Sequence, residues 1–270
     1  MKPWQKTVRY CAIGFAAILI VNIIGWAFDL LGWIFVSPET VISEESQSFE
    51  FSADIYKLDI EISAAVFSFR AEECEKITVT TNLKKLTAKE SGGRLKIKDP
   101  TKVKRQLDSA FVEIVYPIGT QFDIVDIDGG AGRLEITALT TKILDLDLGA
   151  GETVIHGLSV GKDADIDGGA GALTFSDSYI NDLDLDMGVG ELIFDGKLLG
   201  KSEISLGVGK ADMTLIGKKE DYMLKLEKGI GEIFVDGTKV GNSTIGDGSN
   251  RIEIDGGIGE INVKFAETEE

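Results

Sequence analysis

The chain has 270 residues and a net charge of −17, and 43% of its residues are hydrophobic. This length suffices to bury a sizeable core, and 32 glycines against 4 prolines favour short strands and tight turns over a helical bundle. The negative charge disfavours nucleic acids and other polyanions as partners unless cations intervene.

Residues 1–36 are predicted to hold a cytoplasmic N-terminus and a transmembrane signal anchor. Three basic residues precede an apolar run from Tyr10 to Phe28, which is long enough to cross a bilayer at about 1.5 Å per helical residue. The next basic residue is Lys57, so the positive-inside rule places the rest of the chain outside the membrane. A cleaved signal peptide is the alternative, but the run is long for one and lacks an Ala-x-Ala-like site.

Residues 37–50 are polar and acidic and are interpreted as a tether, followed by an extracytoplasmic domain over residues 51–270. Of the 28 basic and 45 acidic residues, 25 and 44 remain after three N-terminal basic residues and Asp29 are left out, a net charge of −19. Cys74 is the only cysteine of this part, so no intrachain disulfide is expected there.

A Gly-x-Gly element recurs along the domain and organises it. The first glycines of its seven copies are Gly130, Gly149, Gly169, Gly188, Gly207, Gly229 and Gly257. The steps between them are 19, 20, 19, 19, 22 and 28 residues. A degenerate eighth copy spans Lys57 to Phe69, with Ser63-Ala64-Ala65 in the place of the glycines. Near-constant spacing of this kind is typical of stacked repeats.

Apolar and polar residues alternate on both sides of the glycines, as in Leu183/Leu185 before one copy and Leu192/Phe194 after it. A period of two with one apolar face predicts half-buried strands. Strands stacked about 4.8 Å apart would share one core, with each copy as one rung and glycines of positive φ at the corners. The predicted fold is therefore an all-β, parallel, right-handed β-solenoid of about 19–20-residue repeats, with a β-sandwich as the alternative.

One segment departs from the repeat. Residues 78–120 carry no Gly-x-Gly copy, and the sequence KESGGRLKI within them predicts a β-hairpin that interrupts the stack.

An N-terminal anchor followed by units such as DLDLGAGETVIHG, DLDMGVGELIFDG and EIDGGIGEINV resembles the bacterial adhesin-like β-strand-repeat family, also called toastrack domains. That family includes the LiaG-type envelope proteins, and the likeness covers roughly residues 50 to 265. The resemblance implies an extracytoplasmic β-repeat fold and a role in cell-envelope physiology. It brings no catalytic residues with it.

Acidic residues recur with the repeat and supply the candidate site. If the rungs stack, two outward columns form, which are Asp126, Asp145, Asp165, Asp184 and Glu203, and Asp128, Asp147, Asp167 and Asp186. Like charges on neighbouring strands destabilise a sheet, so such columns need screening, offset geometry or cations, and their oxygen atoms suit a hard cation such as Ca²⁺ or a polycationic partner. A solvated face that keeps the domain soluble is the preferred interpretation, and cation binding is the alternative.

Other chemistry finds less support. A corner needed in every rung explains all the glycine elements, whereas a nucleotide loop explains at most one. The calcium-binding nonapeptide fails because Leu134 and Leu173 occupy positions where it requires Asp. His156 is the only histidine, so a catalytic triad or histidine-rich metal site would have to be built around it. We therefore predict a non-enzymatic binding or structural envelope protein without cofactor, whose partner is a cationic ligand, the cell wall or an envelope protein in the membrane. A polysaccharide-active enzyme on a β-helix scaffold is the alternative.

Overall fold

The structure is a computed structural model that describes residues 42–100 and 109–267. The predicted signal anchor and the first residues of the predicted tether lie outside this range. No helix within the described ranges has the length and apolar character of a membrane span.

The described chain forms fifteen strands and one short 3₁₀ helix at Lys219–Asp221. In chain order the strands are β1 (Ile42–Ser52), β2 (Lys57–Glu72), β3 (Lys76–Leu83), β4 (Thr87–Ser91), β5 (Arg94–Lys98), β6 (Phe111–Pro117), β7 (Phe122–Thr137), β8 (Thr140–His156), β9 (Ser159–Asn181), β10 (Leu183–Leu199), β11 (Lys201–Ile216), β12 (Tyr222–Val235), β13 (Thr238–Val240), β14 (Ser243–Ile245) and β15 (Asn250–Ala266). The all-β prediction is confirmed.

All fifteen strands belong to one sheet. Eight long strands at its centre pair in parallel, in the spatial order β2, β7, β8, β9, β10, β11, β15 and β12. Their glycine elements are in register, since Gly132 pairs with Gly151 and Gly151 with Gly171. A mostly parallel sheet of this kind differs from the antiparallel pairing expected of a β-sandwich.

The apolar positions of the long strands form a continuous core. In β10, Leu185 and Leu192 have no exposed surface. Asp184 and Asp186, on either side of Leu185 in the chain, are exposed. Packing continues from rung to rung, because the ring centroids of Phe175 and Phe194 lie 5.7 Å apart. The alternation in the sequence thus gives each rung one buried face.

The glycines at the corners are required chiefly by the close approach of neighbouring rungs. A Cβ on Gly149 would lie 1.7 Å from the carbonyl oxygen of Gly130, although the φ of Gly149 is not positive. At the second position Gly151 has a φ of +150°, and its Cβ would lie 1.8 Å from the oxygen of Gly132. Positive φ, which the sequence suggested as the reason, therefore applies to the second glycine of this copy and not to the first.

The degenerate copy in β2 occupies the first rung of the parallel stack. Ala64 pairs with Ala131 of β7, in the register of the other corners. Within the described residues, β5 pairs only with residues 57–61 of β2 and β6 only with residues 66–72. No described strand therefore pairs with residues 62–65 on that side, where Ser63 and Ala65 replace the glycines.

The predicted hairpin caps this end of the stack. Strands β4 and β5 pair in antiparallel fashion around Gly92 and Gly93, whose φ values of 59° and 73° fit a tight turn. Beyond β6 the sheet continues with β3 and then β1, both antiparallel. The edge of the stack is thereby covered by non-repeat strands, as repeat domains require.

Residues 42–50, assigned from the sequence to a tether, instead form most of β1. The strand pairs with β3 through Phe49↔Val79 and Phe51↔Ile77, and both phenylalanines are half-buried against the core. The acidic residues that suggested a tether occupy the exposed positions, so the alternation with apolar residues decides the structure of this segment.

At the other end the spatial order departs from chain order. Strand β15 lies between β11 and β12, so that Gly259 pairs with both Gly209 and Gly231. The outer edge of β12 is covered by the short antiparallel strands β13 and β14. The last rung in sequence is therefore the penultimate rung of the parallel stack.

Candidate functional site: two aspartate columns

The parallel register places the candidate acidic residues in two rows. The first column pairs Asp126 with Asp145, then Asp165, Asp184 and Glu203 along β7 to β11. The second column pairs Asp128, Asp147, Asp167 and Asp186 in the same way. All of these side chains are exposed.

Both columns extend beyond the residues predicted from the sequence. Asp59 and Glu61 of β2 pair with Asp126 and Asp128, and at the other end Glu253 of β15 pairs with Glu203. The alternating acids of the degenerate copy, KLDIEI, carried the signal that could have located the first two.

Basic residues neutralise the ends of the columns. At the first rung, the Lys96 Nζ of β5 lies 3.0 Å from Asp59 Oδ2 and 3.0 Å from Glu61 Oε1. At the last rung, Lys225 Nζ contacts Glu253 and lies 3.2 Å from Glu227 Oε1. The carboxylates at both ends therefore have a cation of their own.

The middle of the columns differs. Eight aspartates in β7 to β10 form no ion pair with any lysine or arginine in the described ranges, and these are Asp126, Asp128, Asp145, Asp147, Asp165, Asp167, Asp184 and Asp186. Adjacent strands lie only about 4.8 Å apart, so like charges face each other along each column.

The same arrangement shifts the pKa values of the columns. Partial desolvation, followed by repulsion from neighbouring carboxylates, raises the pKa of Asp126, Asp145, Asp167 and Asp184 above the ordinary value. For Asp145 the neighbours are Asp126 and Asp147, with further contributions from the next rung. The columns therefore hold their negative charge at a cost, which a bound cation would offset.

A groove of about 620 Å³ runs beside the second column. The four aspartates of that column line it together with corner glycines and the apolar side chains of Leu148 and Met187. It thus offers carboxylates beside a backbone floor, with Leu148 half-buried and Met187 buried in the core behind it. A ligand with several cationic groups matches the row of carboxylates.

The arrangement suits an extended cation better than a single metal ion. Within the part of the chain that the structure describes, no group of three or more acidic, histidine or cysteine side chains converges to hold a metal ion. Ca²⁺ takes 6–8 oxygen ligands around one point, whereas the columns present carboxylates in a line.

One pair of polar side chains resembles part of a hydrolytic active site. His156 Nδ1 lies 3.0 Å from Ser176 Oγ, and the Ser176 hydroxyl also donates to the Ile155 carbonyl at 3.4 Å. A hydrolytic triad needs a carboxylate that orients the histidine. The hydrogen bonds described for His156 and Ser176 include none to a carboxylate.

The raised pKa values predict how removal of column charges depends on pH. An aspartate with a raised folded-state pKa favours folding below its unfolded pKa, and this contribution is lost as the pH rises through the folded pKa. We expect Asp145→Asn with Asp167→Asn to melt above the wild type at pH 7. The difference in Tm should shrink towards zero as the pH falls towards 4, measured by thermal unfolding at fixed ionic strength.

Asp212→Asn supplies the control of opposite sign. Burial acts to raise the pKa of Asp212, but hydrogen bonds from Lys210 and Asn262 outweigh it and lower the pKa. This variant should melt below the wild type at pH 7 and approach it in acid. A Tm difference of the column variant that stays constant with pH would contradict the repulsion between the columns.

Known proteins resemble this chain in structure but only weakly in sequence. No protein-family model and no curated protein matches the chain. The chain is similar in structure to a candidate cell adhesion protein from Clostridium sporogenes, at 15% identity and a TM-score of 0.41, covering 82% of this chain and 99% of the other.

Two further similar structures come from Parabacteroides distasonis and Bacteroides fragilis. A candidate lipid-binding protein from Parabacteroides distasonis has 15% identity, a TM-score of 0.45 and coverage of 82% and 98%. A candidate adhesin from Bacteroides fragilis has 11% identity, a TM-score of 0.38 and coverage of 82% and 98%. Likeness at these values carries no statement about function.

Proposed function

We propose that this chain is a non-enzymatic, membrane-anchored cell-envelope protein that presents a right-handed β-solenoid outside the membrane and binds a polycationic ligand there. The observation that supports the proposal is the two columns of four aspartates each in β7 to β10, which form no ion pair with a lysine or arginine of the described structure. The resemblance to the adhesin-like β-strand-repeat family supports the location in the envelope.

The proposed ligand is a chain of amines or of lysine and arginine side chains. The carboxylates repeat once per rung, at about 4.8 Å, and three methylenes between two ammonium groups span a similar length through four bonds of about 1.5 Å. Alkyl segments of such a ligand would lie over the corner glycines of the groove, beside the half-buried Leu148. The strength of the interaction is expected to fall with salt, because the columns are exposed.

The ligand class is tested by thermal unfolding of the full chain in detergent. Spermine is expected to raise the Tm beyond the effect of NaCl at equal ionic strength, since a ligand at 100 times its Kd stabilises the native state by about 2.7 kcal/mol. Millimolar Ca²⁺ separates a point cation from an extended one: we expect a smaller rise than with spermine.

A matched pair of variants locates the effect. The quadruple variant with Asn at positions Asp145, Asp147, Asp165 and Asp167 should lose the spermine-specific rise while being at least as stable as the wild type without ligand. The control removes four charges outside the columns, through Glu135→Gln, Glu191→Gln, Asp195→Asn and Glu220→Gln, all at exposed positions. Equal melting curves in spermine and in matched NaCl for the wild type would refute the proposed ligand.

The proposed topology has a test of its own. Protease added to intact protoplasts is expected to remove the β-domain, whereas an epitope placed before Lys2 should stay protected until the membrane is opened. A domain that resists protease in intact protoplasts but is digested after lysis would show the opposite orientation.

A further inference from the structure

The chain changes sides of β12 within four residues. Strand β14 pairs with one edge of β12 through Leu224↔Ile245, and β15 pairs with the opposite edge, beginning at Tyr222↔Asn250. Residues 246–249 therefore pass over the N-terminal end of β12. We refer to them as the crossover segment.

The crossover segment is held tightly in this arrangement. Gly246 has a φ of +79°, and a Cβ there would lie 2.3 Å from the Tyr222 carbonyl oxygen. A Cβ on Gly248 would lie 2.1 Å from the Asp221 carbonyl carbon, and the Gly248 N–H donates to Tyr222 O at 3.2 Å. The closed path across β12 therefore requires glycine at both positions.

The slot that receives β15 is specific for this strand. Asn262 donates to Asp212 Oδ1 of β11 at 2.7 Å, and Glu253 forms an ion pair with Lys225 of β12. Strands β11 and β12 form no ladder with each other in the described sheet. Strands β12, β13 and β14 are thus joined to the rest of the sheet through β15.

We propose that the slot between β11 and β12 can be filled by β15 of a second copy of the chain as well as by the chain's own β15. Two copies would then exchange their β15 strands. An incoming β15 makes the same ladders, the same ion pair and the same corner contacts as the chain's own strand. Only the crossover segment differs, because it no longer has to turn over the end of β12. Exchange of an identical element at a short hinge is a low-cost route to a dimer.

Two single-cysteine chains report the exchange directly. Ser205 of β11 and Asp255 of β15 are register partners, and neighbouring strands bring their Cα atoms within the range that a disulfide can bridge. In full chains with Cys11→Ser and Cys74→Ser, one copy carries Ser205→Cys and the other Asp255→Cys, each with its own tag. Refolded together in detergent and then oxidised, they should form a disulfide-linked heterodimer.

Substitutions in the crossover segment are expected to change the yield of the heterodimer. Gly246→Ala with Gly248→Ala in both copies should raise the heterodimer yield several-fold, because the closed crossover is lost while the β15 ladders are kept. Gly241→Ala is the matched control, since a Cβ there meets no atom within 4 Å, and it should leave the yield unchanged.

Two further cysteine arrangements exclude misfolding and random collision. Asp186→Cys with Ser205→Cys in a single chain links β10 to β11 and reports a folded stack whether or not β15 is exchanged. Two copies that both carry Ser205→Cys report collisions. The proposal is overturned if the hinge variant forms the intrachain link but gives no more heterodimer than the Gly241→Ala control or the collision pair.

Discussion

Replacing Gly190 by alanine is expected to destabilise the domain by about 3 kcal/mol or more, one of the two largest effects that a single substitution should have here. Gly190 has a φ of +153°, and its Cβ would lie 1.8 Å from the carbonyl oxygen of Gly171 in the rung below. The neighbouring backbone belongs to a central ladder of the stack and cannot move away without breaking hydrogen bonds. Chemical denaturation gives the loss as a lower midpoint.

The same position in the first rung supplies the natural comparison. Ala65 occupies it with β7 on one side and no described strand on the other, so Ala65→Gly should change stability by less than about 1 kcal/mol. Gly241→Ala, on an exposed loop, should be neutral. A wild-type midpoint for Gly190→Ala would show that the rungs are not stacked at the corners as described.

Leu185→Ala is expected to cost about 2–5 kcal/mol, because it removes a fully buried side chain from the middle of the stack. Leu185 lies between Ile166 and Ile204 in the neighbouring rungs, so the surrounding ladders restrict collapse of the cavity. The free energy of unfolding from denaturant titration measures the effect.

Two substitutions on the outer faces control for the loss of side-chain volume and for the alternation. Ile193→Ala removes an apolar side chain that is 39% exposed and should cost less than about 1 kcal/mol. Asp147→Asn should be neutral or mildly stabilising, since it relieves like-charge repulsion. If Leu185→Ala proved as mild as Ile193→Ala, the inward face of β10 would have been assigned wrongly.

The centre of the domain could be predicted from the sequence because neighbouring rungs repeat each other. The near-constant glycine spacing implies the register in which Asp145 pairs with Asp165, and the period of two implies which side chains face inward. Both features are local to a rung or to two adjacent rungs, which is the range over which sequence patterns are informative.

The ends could not be predicted in the same way. Acidic composition suggested a tether up to residue 50, where Phe49 instead belongs to the edge strand β1, since composition does not indicate which edge of a sheet needs a cover. Nor does any repeat spacing reveal that β15 enters between two earlier strands. That order depends on contacts between residues far apart in sequence, such as Glu253 with Lys225.

Only part of the candidate site could be predicted from the sequence, for the same reason. The aspartates recur with the repeat and could be placed in columns, but their lack of basic partners could not be foreseen. Whether an aspartate has a basic partner depends on the position of Lys96 in β5. Lys96 forms ion pairs with Asp59 and Glu61 of the first rung and with no aspartate of the described rungs that follow.

The position of β15 makes the sheet depend on a strand that is synthesised after both of its neighbours. Strands β11 and β12 precede β15 in the chain, and these two strands form no ladder with each other. Until Asn250 and the residues after it arrive, the domain keeps two unsatisfied strand edges, which proteases and other chains can engage. A chain without β15 would therefore leave β12 without a ladder to the rest of the parallel stack, so a late strand joins two parts that are synthesised before it.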